Sequence, residues 1–226
     1  VTSIDDNDFS ECKLLEHIMI PSSVTSIGNY AFSKCTSLTQ ITIPSSVTKI
    51  SDSAFSGCKS LSQISFEIPS SLTSIENNAF SGCSSLKQII IPYSVTSIGN
   101  DAFNGCKSLT KIIIPSSVTS IGNSVFFKCN SLTEITIPSS VISFGSNVFN
   151  GVDTLKITGD INNIPKYLFS GCTSITQISI PPSISSINEG AFYGCLYLTE
   201  ITIPSSVTSI GNGTFSGCSS LKQISI

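Results

Sequence analysis

The stretch LTQITIPSSVTKISDSAFSGCKSL, from Leu38 to Leu61, decides the fold. It opens on Leu38-Thr39-Gln40-Ile41-Thr42-Ile43, whose last three residues alternate apolar and polar side chains, the period of a strand with one buried face. Pro44 stops that strand, because it has no N–H to give to a ladder. Val47 and Ile50 suit a second extended or loosely turned segment on the far side. Ser51-Asp52 reads as a turn, as does Gly28-Asn29 in the copy before. The piece Ala54-Phe55-Ser56-Gly57-Cys58 is too short for an α-helix and is predicted to form one 3₁₀ turn.

Outward from this unit, nearly the whole chain is the unit again. Phe9, Phe32, Phe55, Phe80, Phe103, Phe126, Phe149, Phe169, Phe192 and Phe215 stand 23 residues apart, except for 25 between Phe55 and Phe80 and 20 between Phe149 and Phe169. Three residues after each Phe stands a Cys, replaced once by Val152, and three further on a Leu, or Ile175. Columns of apolar or small residues are what a solenoid needs when no copy can bury its own face. The regularity leaves no room for a domain boundary, so residues 1–226 are read as one domain of nine to ten repeats. The chain begins and ends inside a repeat, and truncation at both ends is expected. The expected architecture is a mostly β solenoid of the α/β repeat type with little true helix. Its strands stack about 4.8 Å apart into a parallel sheet on the concave face, spanning on the order of 45 Å.

The pattern Leu-x-x-Ile-x-Ile-Pro-x-x-Val-x-x-Ile-x-x-x-Ala-Phe-x-x-Cys resembles the 23-residue leucine-rich repeat of the BspA-like, or Treponema-type, family, over essentially the whole chain. The resemblance implies a right-handed leucine-rich repeat horseshoe, an origin in an anaerobic protozoan or bacterium, and a role at the cell surface in adhesion or host-protein recognition.

Composition narrows the chemistry. With 11% charged residues and a net charge of -3, the chain has no field to draw in nucleic acid or an anionic membrane. All eleven basic residues are Lys, so the usual bidentate reader of guanine and phosphate is missing. No apolar run approaches the roughly 18–20 residues of a membrane span, so no membrane insertion is expected. Nine Cys, an odd number set one per repeat in a core column, read as a ladder of free buried thiols rather than disulfides or a metal site. Free thiols and the absence of a signal peptide favour a reducing cytoplasm or an anaerobic organism. No metal, cofactor or catalytic residue is expected. Cys12 and the lone His17 should diverge, one into the core and one onto the sheet. Glu134 and Glu200 share a column on the order of 14 Å apart, beyond the roughly 5–10 Å of a glycosidase pair.

Function must therefore be read where the copies differ. The column between the two strand Ile residues reads Met19, Thr42, Ser65, Ile90, Ile113, Thr136, Ser179, Thr202 and Ser225, too mixed for a lattice match to ice. Within it Ile90 and Ile113 lie side by side. Tyr93 replaces the first Ser of the adjacent Pro-Ser-Ser corner, with Lys87 and Lys111 alongside, and the Phe66-Glu67-Ile68 insertion lies one repeat away. An apolar and aromatic patch rimmed by Lys is a candidate protein-binding centre on the concave sheet. Phe127, Tyr193, Leu196 and Tyr197 replace polar residues on the convex side, and the last three form a candidate self-association surface. Ile224 and Ile226, in a strand with no following copy, point to homo-oligomers through uncapped ends. Two function classes result: a non-catalytic protein-binding scaffold with an adhesive role, or an intracellular assembly scaffold that self-associates.

Overall fold

The structure, a computed structural model, describes residues Val1–Ile226. It contains 18 short strands and no helix, so no helix is long and apolar enough to cross a membrane. Every strand pairing is parallel, between one repeat and the next. The L-x-x-I-x-I strands form not one sheet but three. Gln40–Ile43 pairs with Gln63–Phe66; Lys111–Ile113, Glu134–Thr136, Thr154–Thr158 and Gln177–Ser179 form a set of four; Glu200–Thr202 pairs with Gln223–Ser225. The longest sheet is built from the far-side segment expected to be extended or loosely turned. Its seven strands run from Ser3–Ile4 through Lys49–Ile50 to Ser143–Phe144, two residues each. The reason lies in the corner: the Pro44 carbonyl accepts the Val47 N–H at 3.1 Å, so the chain turns fully before Lys49 and leaves a straight pair to stack.

The Phe segment forms turns rather than the expected 3₁₀ turn. A 3₁₀ helix needs φ negative throughout, whereas the residues two before and two after each Phe are left-handed, as at Tyr30 (φ 56) and Lys34 (φ 57). Hydrogen bonds alternate accordingly. Tyr30, Phe32 and Lys34 donate their N–H to Asp52, Ala54 and Ser56 of the next repeat, while Ser33 and Cys35 donate back to Tyr30 and Phe32. Half the turn is thus local and half is ladder. The ten Phe rings stack in one column with centroids 5.1–5.9 Å apart. The columns close a single core of 63 buried residues.

Polar columns that read as bland surface are ladders too. The second Ser of the corner donates to a carbonyl of the repeat before, as from Ser117 to Val95 at 2.6 Å and from Ser206 to Ile184 at 2.7 Å. Asn77 Oδ1 accepts the Asn100 N–H, and Asn100 Oδ1 the Asn123 N–H, each at 2.8 Å. The thiols behave alike: Cys58 Sγ donates to the Phe32 carbonyl at 3.0 Å and Cys106 Sγ to that of Phe80 at 3.3 Å. Seven Cys are buried, Cys218 is half-buried, and Cys12, expected in the core, is exposed.

The short repeat before Phe169 is accommodated by a register slip. Lys156 stands opposite Glu134 on one side and Ser179 on the other, whereas Gln177, two residues before Ser179, stands opposite Thr154. A slip of one would turn every side chain over; a slip of two keeps Leu155 and Ile157 both buried. At the same junction the seven-stranded sheet ends and the Phe149 and Phe169 rings tilt to 29°.

Candidate protein-binding site

Ile90 and Ile113 stand opposite each other in a parallel bridge, on the outward side of strands whose inward residues Ile89, Ile91, Ile112 and Ile114 are buried. Ile90 is 81% exposed, Ile113 53% and Tyr93 78%. The insertion reaches the same place. Phe66 extends its strand opposite Ile43. The next residue, Glu67, donates its N–H to the Ile43 carbonyl at 3.0 Å, and its carboxylate accepts the Ser45 N–H at 3.1 Å. Held in this way, the insertion turns Ile68 outward, 89% exposed. Two grooves result, one on each flank of Tyr93. The first, 460 Å³, is walled by Phe66, Ile68 and Pro69 against Ile90 and Tyr93. The second, 600 Å³, runs past Ile113 and Pro115.

The expected rim of Lys is reduced to one residue. Lys111 lines the second groove, but its ammonium lies 2.7 Å from Glu134. That hydrogen bond holds the Glu134 carboxyl below the usual carboxylate range, with the charges of Lys111 and Lys156 adding to it. Lys87 is exposed and lines neither groove. The site is therefore apolar at its centre, with the Lys111–Glu134 pair and the Asp160 carboxylate at its edge.

On the opposite side Tyr193, Leu196 and Tyr197 are exposed. Tyr193 shares a shallow hollow with Tyr167, Glu189 and Asn212, while Leu196 and Tyr197 lie outside it. The Tyr167 hydroxyl donates to Glu189 at 3.0 Å, and Lys166 lies at 3.0 Å from the same carboxyl. Phe127 is half-buried under the Lys128 ammonium, 5.0 Å from its ring, and so is used within the chain. Ile224 and Ile226 are exposed. His17 lines a hollow with Met19, Gln40 and Thr42, on a chain that gathers no group of three metal-ligating side chains. Burial pushes the Cys58, Cys129 and Cys172 thiols up to about 12, which keeps them protonated and poorly nucleophilic.

One residue of the site gave no sign in the sequence. Ser94 repeats the corner Ser found in most other copies, yet its buried hydroxyl has no hydrogen-bond partner. It lines the first groove.

The family described as a BspA type leucine rich repeat region, in 6 copies, matches residues 2–67, 60–159 and 151–226. This chain belongs to that family. A leucine-rich repeat protein from Bacteroides ovatus is 30% identical, over 99% of this chain and 70% of that one, with a TM-score of 0.59. The leucine-rich repeat protein of T. pallidum is 32% identical, over 82% and 78%, with a TM-score of 0.55. The pneumococcal vaccine antigen PcpA, 24% identical over 93% and 70% with a TM-score of 0.52, shares the fold. No curated protein matches the chain in sequence. BspA-type repeats are scaffolds of apolar columns, and the chemistry available to this one lies where the columns are interrupted.

Proposed function

We propose that this protein is a non-catalytic scaffold that binds a protein partner on its L-x-x-I-x-I face, with the grooves flanking Tyr93 as the binding centre. The observation that carries this reading is the convergence of Ile68, Ile90, Tyr93 and Ile113, all well exposed, on one face where most other copies are polar. Isolated exposed apolar residues are ordinary, whereas a contiguous aromatic and aliphatic patch with grooves to receive side chains has the anatomy of an interface core. The family resemblance supports an adhesive role, with a host protein as partner.

A second reading is favoured by the thiol ladder. Seven buried Cys, each free, suit a reducing setting and an assembly scaffold within the cell, with Tyr193, Leu196, Tyr197, Ile224 and Ile226 in self-contacts. Surface labelling of intact cells separates the two: labelled protein supports adhesion, and protein reached only after lysis supports the scaffold. The binding centre itself is tested by pull-down with an Ile90→Asp, Ile113→Asp double variant. A partner retained by the wild type should be lost by at least about tenfold; an unchanged partner set removes the patch.

A further inference from the structure

The first groove is also a place where the ladder of the solenoid is undone. At the other junctions the residue following the column Leu donates its N–H back to the repeat before, to its equivalent from Thr39 to Glu16, Ser62 to Thr39, Thr110 to Lys87, Thr133 to Thr110 and Lys222 to Thr199, and from Thr176 to Asp153 at the short repeat. The bond from Lys87 to Ser62 is missing. So is the corner bond. Ser46, Ser117, Ser140, Ser183 and Ser206 each donate to the preceding repeat, but Ser94 does not. Between Leu61–Leu72 and Leu86–Val95 no hydrogen bond crosses, and no strand pairing joins Gln63–Phe66 to Ile90. The same two repeats remain closed elsewhere. Phe80 stacks on Phe103 at 5.6 Å, Ser74–Ile75 pairs with Ser97–Ile98, and the Thr96 N–H reaches the Thr73 carbonyl at 2.9 Å. The extra residues of the insertion part the two repeats along one face only.

A seam of this kind offers two things together, an apolar trough between Phe66, Ile68, Ile90 and Tyr93 and a buried hydroxyl at Ser94 that donates to nothing, while the carbonyl of Ser62 and the N–H of Lys87, left without their ladder bond, lie outside the trough on the same face. A lipid or an apolar small molecule would use the trough and leave the polar groups idle. A helix has already spent its main-chain groups internally. An extended peptide has apolar side chains to enter the trough and unspent carbonyls and N–H groups to meet the others.

We propose that the seam between the Phe80 and Phe103 repeats is a docking site for an extended peptide segment of a partner. One apolar side chain of that segment enters the trough, and a main-chain carbonyl accepts the Ser94 hydroxyl. This rests on the protein-binding reading above and sharpens it to one groove and one kind of occupant. It is separable from that reading because Ile113 lines only the second groove and Ser94 only the first.

The experiment is a selection of random linear dodecapeptides displayed on phage against the full chain, followed by titration of the enriched peptides, synthesised with a fluorophore, by anisotropy. Peptides with a single essential apolar residue should enrich. Their affinity should fall about 3–10-fold with Ser94→Ala, as expected for one lost hydrogen bond, and at least about tenfold with Ile68→Asp. N-methylation of the peptide amides next to the essential residue should also weaken binding, and neither variant should melt below the wild type. Failure to enrich any linear peptide overturns the proposal. So does enrichment of peptides that bind Ser94→Ala and Ile68→Asp unchanged. If those peptides, or the partner from the pull-down, are lost only with Ile113→Asp, the seam is excluded while the wider patch stands.

Discussion

The Oγ of Ser117 lies 2.6 Å from the Val95 carbonyl oxygen, while the Oγ of Ser94, one repeat earlier in the same column, touches no acceptor. Two identical residues therefore do opposite things to stability. Ser117→Ala removes a hydrogen bond and strands the carbonyl of buried Val95, and should cost about 1 kcal/mol or more. Ser94→Ala removes a desolvated hydroxyl that has gained nothing in exchange, and should be neutral or stabilising by up to ~1 kcal/mol. Thermal melts of the two variants check the pair, and equal destabilisation would contradict it. The sequence shows the column but not this difference, because the partner of each Ser is a carbonyl of another repeat and its position depends on how the two stack. The thiols pose the same problem. Their spacing marks them as core, whereas their donation to Phe carbonyls becomes visible only when Cys58 is seen 3.0 Å from Phe32.

The strand Thr154–Thr158 is the element on which the stack depends most at its irregular end, since it matches one neighbour in one register and the other in a register two residues away. It then leaves the sheet through Gly159, at φ +112, where an added Cβ would lie 2.2 Å from the Ile137 carbonyl oxygen. Backbone has no room to yield there. Gly159→Ala should cost at least about 3 kcal/mol, from the clash and the left-handed conformation together; a melting point within about 2 °C of wild type would contradict it. The carboxylate of Asp160 follows, accepting the Ser139 N–H at 2.7 Å and its hydroxyl at 2.8 Å, much as Glu67 serves Ser45 in the inserted repeat. The repeat itself and its inward faces were legible from the Phe, Cys and Leu columns. The breaks were not. Leu155 sits six residues after Phe149, where the Leu column falls, yet pairs with Ile178 of the Ile column, and either place suits its side chain. Likewise the insertion announces itself in the length between Phe55 and Phe80, but which edge it parts is settled by packing against Ile90 and Tyr93.

For the whole molecule the thiols make alkali the weak direction. Burial, with a neighbouring thiol in some cases, pushes Cys35 up to about 11 and Cys58, Cys129 and Cys172 up to about 12, against an ordinary value of 9.0. An unfolded chain releases these protons near pH 9 while the folded chain holds them. The stability they lend is complete below about pH 9 and is lost between there and about pH 12. Urea unfolding in reductant at pH 8 and pH 10.5 should show the midpoint falling, and a flat profile would contradict protonated burial. At pH 8 a thiol reagent should reach Cys12 at once and the seven buried thiols only after denaturation. The tilt of Phe169 against Phe149 has a further meaning. In a stack where each repeat touches only its neighbours, cooperativity is passed on through each junction, and here both the aromatic column and the seven-stranded sheet falter at one of them. That junction, bridged by strand pairing on one face only, between Glu134–Thr136 and Thr154–Thr158, should act as a domain wall. The protein should open as two blocks, with amides after Gly159 exchanging with deuterium as a class apart from those of the Phe32 to Phe126 repeats.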